Sequence, residues 1–196
     1  IRRRVVGEAK FLRAYYYFNL VQFFGPVPLV LTPDGGKGVK RDDEGKVYAQ
    51  VVKDLEDAAQ VLPEKSQQAS SDIGRATRGA ALAALAKTLL VWAQNDDSLS
   101  QADRHERYAL SVEAAQKVIN SGEYALEEDF HKNWDNQNRN GRESIFATQH
   151  YVGSSLQSDN TGGNHLVHCS FSTGFSIALP HVTPSPTREV QDSYLL

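Results

Sequence analysis

Residues Gly7 to Leu31, GEAKFLRAYYYFNLVQFFGPVPLVL, constrain the fold more than any other stretch of this chain. On a 3.6-residue period Leu12, Tyr16, Leu20 and Phe23 line one face, while Phe11, Tyr15 and Phe18 line a second face rotated around the same helix. A helix from Arg3 to Phe24 covered on two sides is therefore expected. Gly25 can take the left-handed conformation that ends a helix, and Pro26 and Pro28 forbid continuation while holding Val27 and Leu29 extended. The Tyr and Phe rings are expected in the core, because such rings bury the most area per residue. Arg13 and Glu8 read as an exposed or helix-to-helix pair, since charges on a core helix sit at its edge.

Three further helices follow. One, about Gly45 to Leu62, is entered through the Asp42-Asp43-Glu44 cluster as a cap, buries Val47, Val51, Leu55, Ala58 and Leu62, and stops at Pro63. The next, about Thr77 to Gln94, has Thr77 as N-cap and a small-residue face of Ala80, Ala81, Ala84 and Lys87 opposite Leu82, Leu85, Leu89 and Trp92. The last, about Asp103 to Ser121, carries Tyr108, Val112, Ala115 and Ile119 and ends at Gly122. The run Asp57-Ala58-Ala59-Gln60 is echoed by Glu113-Ala114-Ala115-Gln116, each late in a helix. Two such occurrences around an Ala-rich helix predict antiparallel hairpins stacked side by side, an all-α, irregular tetratricopeptide-like architecture. Leu12, Tyr16, Leu55, Ala58, Ala84, Leu85 and Ala115 are expected to be buried in it. Trp92 and Trp134 are assigned to its structural segments and so to the core. Ser144 to His150, SIFATQH, alternates well enough for a short strand, and residues 151–186, rich in Ser, Gly, Asn, His and Thr, are mainly loop.

With 196 residues, 23% charged and 40% hydrophobic, the chain reads as one domain, residues 1–196. A net charge of -3 gives no electrostatic source for sequence-independent nucleic-acid binding. No run of eighteen apolar residues is present, as a membrane-spanning helix requires. The chain contains no Met and one Cys, Cys169, so no intrachain disulfide can form.

The first string, with Glu8, Arg13, Tyr15, Tyr16, Phe18, Gly25, Pro28 and Leu29 in place, resembles the signature helix of the SusD-like (RagB/SusD) family. The segments YAQVVKDLEDAAQVLPE, GRATRGAALAALAKTLLVWA, YALSVEAAQKVINSGEYAL and ESIFATQ then follow in that family's order. The resemblance implies a non-catalytic, lipid-anchored protein of the bacterial outer membrane that captures oligosaccharide and hands it to a TonB-dependent SusC-like transporter, with no cofactor. It further implies that the signal peptide and lipidated Cys lie upstream of Ile1, and that a large C-terminal portion lies beyond Leu196. The alternative reading is a helical-repeat scaffold that binds another protein and no sugar.

Patterns for other chemistry are weak. His165, His168, Cys169 and His181 offer zinc-type ligands, but in a segment that reads as loop without a helical frame, so no metal is expected. Gly35-Gly36-Lys37-Gly38 lacks phosphate-loop spacing. A calcium loop starting at Asn136 would need its closing Glu at Ala147. Glu127, Glu128 and Asp129 are adjacent rather than opposed across a sugar, so no glycosidase is expected. Glycan recognition needs apolar rings with amide, acid and imidazole groups on an exposed surface. Tyr151, Asn160, Asn164, His165 and His168 are the residues expected to supply part of it.

Overall fold

The computed structural model describes residues 2–33, 38–135 and 138–149. Contacts divide the chain into two units, Ile1–Ala147 and Thr148–Leu196, and the helices of the described residues all lie in the first. Among the described residues four α-helices are formed: α1 (Arg2–Phe24), α2 (Glu44–Val61), α3 (Arg78–Asn95) and α4 (Gln101–Asn120). Short 3-10 turns occupy Lys65–Gln67, Ser70–Asp72 and Phe130–Trp134.

The helix ends follow from local chemistry. Gly25 closes α1 at φ 65°, donating its N–H to the Val21 carbonyl at 2.9 Å. The extended segment after it is pinned twice: Leu29 N–H donates to the Asp42 carboxylate at 3.1 Å, and Val30 N–H donates to the Tyr17 hydroxyl at 2.7 Å. Asp42 thus braces the 27–29 segment, while Asp43 holds the N-cap position of α2 without a side-chain capping bond. Thr77 caps α3 as its sequence position predicts, its hydroxyl accepting the Ala80 N–H at 3.1 Å. At α4, Ser100 accepts from Asp103 N–H and donates to the Asp103 carboxylate, which moves the start ahead of the expected Asp103.

Cross-helix pairs fix the directions. Gly7 of α1 faces Val61, Lys10 bonds Asp57 at 2.6 Å, and Arg13 bonds Asp54, so α2 runs antiparallel to α1. Arg104 reaches the Ala93 carbonyl at 2.6 Å, Arg107 lies on Trp92, and Ser111 donates to the Ala86 carbonyl at 2.7 Å, so α4 runs antiparallel to α3. The core sits along α2 and α3, where Val47, Tyr48, Val51, Leu55, Ala81 and Leu89 are buried. Ala59 and Ala114, from the two echoed runs, line the same groove over α3.

Several expected faces are corrected. In α1 the buried face is Phe11, Ala14, Phe18 and Val21, whereas Leu12, Tyr16, Leu20 and Phe23 are exposed: α2 covers one stripe, and the other has no helix over it among the described residues. In α4 the contact face is Ser111, Ala114 and Val118, one position away from the expected stripe. Val112 and Ile119 are 65% and 69% exposed, and Ala115 is half-buried. Small residues win that contact because they let the α4 backbone approach α3 and leave the Ser111 hydroxyl in reach of a carbonyl. Leu55, Ala58 and Leu85 are buried as expected, but Ala84 is only half-buried, on the wall of a cleft. Residues 144–149 form no strand. Instead Ile145 and Phe146 pack against the helical core, Phe146 meeting Phe11 edge-on at 4.8 Å. Trp92 is buried as expected, while Trp134 is 65% exposed beside Phe130.

Candidate ligand-binding surfaces

Charged side chains on α1 serve the fold. Arg13 donates twice to Asp54, at 2.7 and 2.6 Å, and Glu8 accepts from Arg4 at 3.0 Å and from both Nε and Nη2 of Arg75. Arg4 also donates to Asp72 at 2.8 Å, so the start of α1 is tied to the loop that leads into α3. Glu8 and Arg13 are therefore helix-to-helix groups with separate partners, and do not pair with each other.

The Arg75 hydrogen bonds, followed by those from Arg4 and outweighing burial, hold the Glu8 carboxyl below its ordinary 4.5. Because the folded value is depressed, its stabilising contribution is complete above pH 4.5 and is lost as pH falls through the folded value. The stability difference between wild type and Glu8→Gln, followed by urea melts from pH 7 to pH 3, is expected to shrink toward acid. A difference that stays constant over that range would show that Glu8 does not titrate as placed.

Concave surfaces among the described residues flank this frame, and three of them bear on ligand binding. A groove of about 620 Å³ between α2 and α4 is floored by Leu82, Leu85 and Leu89 and rimmed by Glu56, Gln60 and Lys117, the last paired with Glu113 at 2.8 Å. A smaller cleft of about 180 Å³ is lined by Lys65, Gln68, Arg75, Thr77 and Phe146. Lys65 acts there as a clamp: its ammonium donates to the carbonyls of Gly141 and Ser144 at 2.6 and 2.9 Å and lies 5.1 Å over the Tyr124 ring. Burial pushes its pKa down. The third surface is a cleft of about 260 Å³ between α1 and α3, with Tyr15, Asn19 and Lys87 among its lining residues.

The residues expected to bind ligand, Tyr151, Asn160, Asn164, His165 and His168, lie outside the described residues, as does the His165, His168, Cys169 and His181 pattern. Among the described residues no group of three or more His, Cys, Asp or Glu is placed to hold a metal ion. No described helix is long and apolar enough to cross a membrane. Sequence reasoning missed the cleft between α1 and α3, because its lining comes from residues 11–19, 55, 80–88 and 145–146. Its one sequence signal is Lys87, a cation on the alanine face of α3.

Comparisons with known proteins agree with this architecture. Residues 2–90 match the SusD-like 3 family model, described as starch-binding associating with outer membrane. A SusD-like protein P2 of Formosa agariphila is 27% identical over 193 residues, covering 90% of this chain and 34% of that protein. A SusD-like carbohydrate binding protein of Bacteroides fragilis has a crystal structure that superposes with a TM-score of 0.65 at 26% identity, covering 76% of this chain and 27% of its own. A crystal structure with xylogluco-oligosaccharide gives a TM-score of 0.65 at 27% identity, covering 76% of this chain and 30% of that one. The chain thus spans about a third of the length of the curated relative it matches. Over residues 2–90 the chain is similar to the SusD-like family, and its helix order and these superpositions agree with that likeness.

Proposed function

We propose that this protein is a non-catalytic binder of oligosaccharide, held at the outer surface of the bacterial outer membrane by a lipid anchor and passing its ligand to a TonB-dependent SusC-like transporter. The observation that carries the reading is the match of residues 2–90 to a family described as starch-binding and outer-membrane associated. The likeness to a structure solved with xylogluco-oligosaccharide supports a glycan as the ligand class. Tyr151, Asn160, Asn164, His165 and His168 supply part of the ligand surface in this reading.

Calorimetry against a glycan panel tests it. At least one oligosaccharide should bind, and Tyr151→Ala and Asn164→Ala should each weaken it by about 1 to 3 kcal/mol, the range for a lost stacking ring or an unpaired polar partner. Reducing sugar released by the protein should equal that of a heat-killed control. The apolar floor of the α2–α4 groove, with Val112 and Ile119 exposed on α4, favours a helical-repeat scaffold as the second reading. Silence across the panel, with protein capture intact, would decide for the scaffold.

A further inference from the structure

Two aromatic rings stand in solvent outside the helical core. In the 3-10 turn Phe130–Trp134 both end residues are exposed, Phe130 at 58% and Trp134 at 65%. Their ring centres lie 6.3 Å apart with the planes at 65°. Trp92, the other of the two tryptophans, is buried. A buried aromatic side chain removes about 150–250 Å² from water, so rings held out at the surface forgo that gain.

The backbone beneath the rings is pinned at several points. Asp129 caps the turn, its carboxylate accepting the His131 N–H at 2.9 Å. The Glu143 carboxylate accepts from the Glu127 N–H and from the Asn133 amide, both at 3.0 Å. Glu127 in turn accepts from the Asn138 amide and the Arg142 N–H, both at 3.1 Å. The Lys65 clamp on the Gly141 and Ser144 carbonyls joins this base to the residues after α2. Rings on a braced base lose little freedom when a ligand settles on them, which is the condition for a preorganised contact. Asn133 lies three residues after Phe130, on the same side of a 3-10 turn, and its amide oxygen accepts no hydrogen bond among the described residues. The neighbours His131, Lys132, Asn133 and Asp135 are exposed and polar. Such a setting suits a ligand with one apolar face and a hydroxyl rim better than an apolar protein surface.

We propose that Phe130 and Trp134 form a stacking subsite for one pyranose ring of an oligosaccharide. The Trp134 indole lies under the C–H face of the sugar, Phe130 closes one side, and the Asn133 oxygen accepts from a sugar hydroxyl. Planes at 65° make a corner rather than a flat shelf, so one sugar fits where two coplanar ones would not. The inference rests on the glycan-binding reading and adds to it a sugar contact within residues 130–134, apart in sequence from Tyr151, Asn160, Asn164, His165 and His168.

Titration of the full chain with cellotetraose, maltotetraose and a xylogluco-oligosaccharide, followed through the two indole N–H signals by NMR, tests it. A sugar that binds should shift the Trp134 signal and leave that of Trp92 in place. Acrylamide should quench part of the tryptophan emission of the free protein, a part that saturating sugar protects and that is missing from Trp134→Ala. Trp134→Ala and Trp134→Leu should each weaken binding about tenfold, the size of one lost stacking ring, and Trp134→Tyr should restore most of it. The melting transition should stay unchanged in all three, because the side chain stands 65% exposed. Emission closed to acrylamide in the free protein, shifts confined to Trp92, or undiminished binding by Trp134→Leu would overturn the subsite. If a sugar still binds in that case, the glycan-binding reading stands and only the subsite fails. If no sugar binds the unmodified chain, both fail together.

Discussion

Trp92→Ala is expected to destabilise the helical unit by about 3 to 5 kcal/mol, the range for removing a large buried aromatic side chain. Its indole joins three helices. The ring stacks on Tyr48 of α2 at 5.7 Å and 13°, and the Arg107 guanidinium of α4 lies 4.0 Å from its centre on top of α3's own contacts. The indole N–H donates to the Asp96 carboxylate at 2.9 Å, just where Arg104 holds the Ala93 and Asp96 carbonyls at the end of α3. Alanine would leave a cavity under Tyr48 and remove the surface on which Arg107 rests. Trp92→Phe keeps a ring and loses the N–H, so it should cost nearer 1 kcal/mol. Urea unfolding followed by circular dichroism measures both; a loss below about 1 kcal/mol for the alanine variant would contradict the layered packing.

Arg13→Leu is expected to cost about 3 kcal/mol, because it strands the Asp54 carboxylate, only 2% exposed, with Gln50 as its remaining side-chain donor. The reverse change should cost less. In Asp54→Leu the Arg13 side chain, 32% exposed, can turn its guanidinium to water along its own stem. The double variant, with leucine at both positions, should recover most of the loss, since apolar replacement of a whole buried ion pair is often neutral. A double-mutant cycle on unfolding free energies gives the coupling directly. If the two single variants cost the same and the double variant shows their sum, the bidentate geometry at 2.7 and 2.6 Å contributes no coupling.

Helix content and boundaries were readable from residues alone. The expected spans of α1, α2 and α3 lie within one residue of the observed ends, because Gly25, Pro63 and Thr77 act through their own backbone chemistry. The order of the helices and the echo of Ala58-Ala59 in Ala114-Ala115 were likewise enough for stacked hairpins and for the family resemblance. The facing surfaces were not. Val112 and Ile119 form a stronger apolar stripe than Ser111 and Ala114, and a period of 3.6 marks both without saying which one a neighbour covers. The extended segment after Ser144 shows the same limit: alternation marks extended backbone, but a strand needs a partner, and Phe146 instead finds Phe11.

Local chemistry therefore determined where this chain is helical and where each helix stops, since caps, prolines and positive-φ glycines act within a few residues of themselves. Tertiary structure alone decided which stripe of each helix is buried, that Glu8 and Arg13 answer to Arg75 and Asp54 rather than to each other, and that Tyr15, Asn19 and Lys87 share one cleft. Those outcomes depend on how closely two helices can approach, a property of both surfaces at once, which neither stretch of sequence contains by itself.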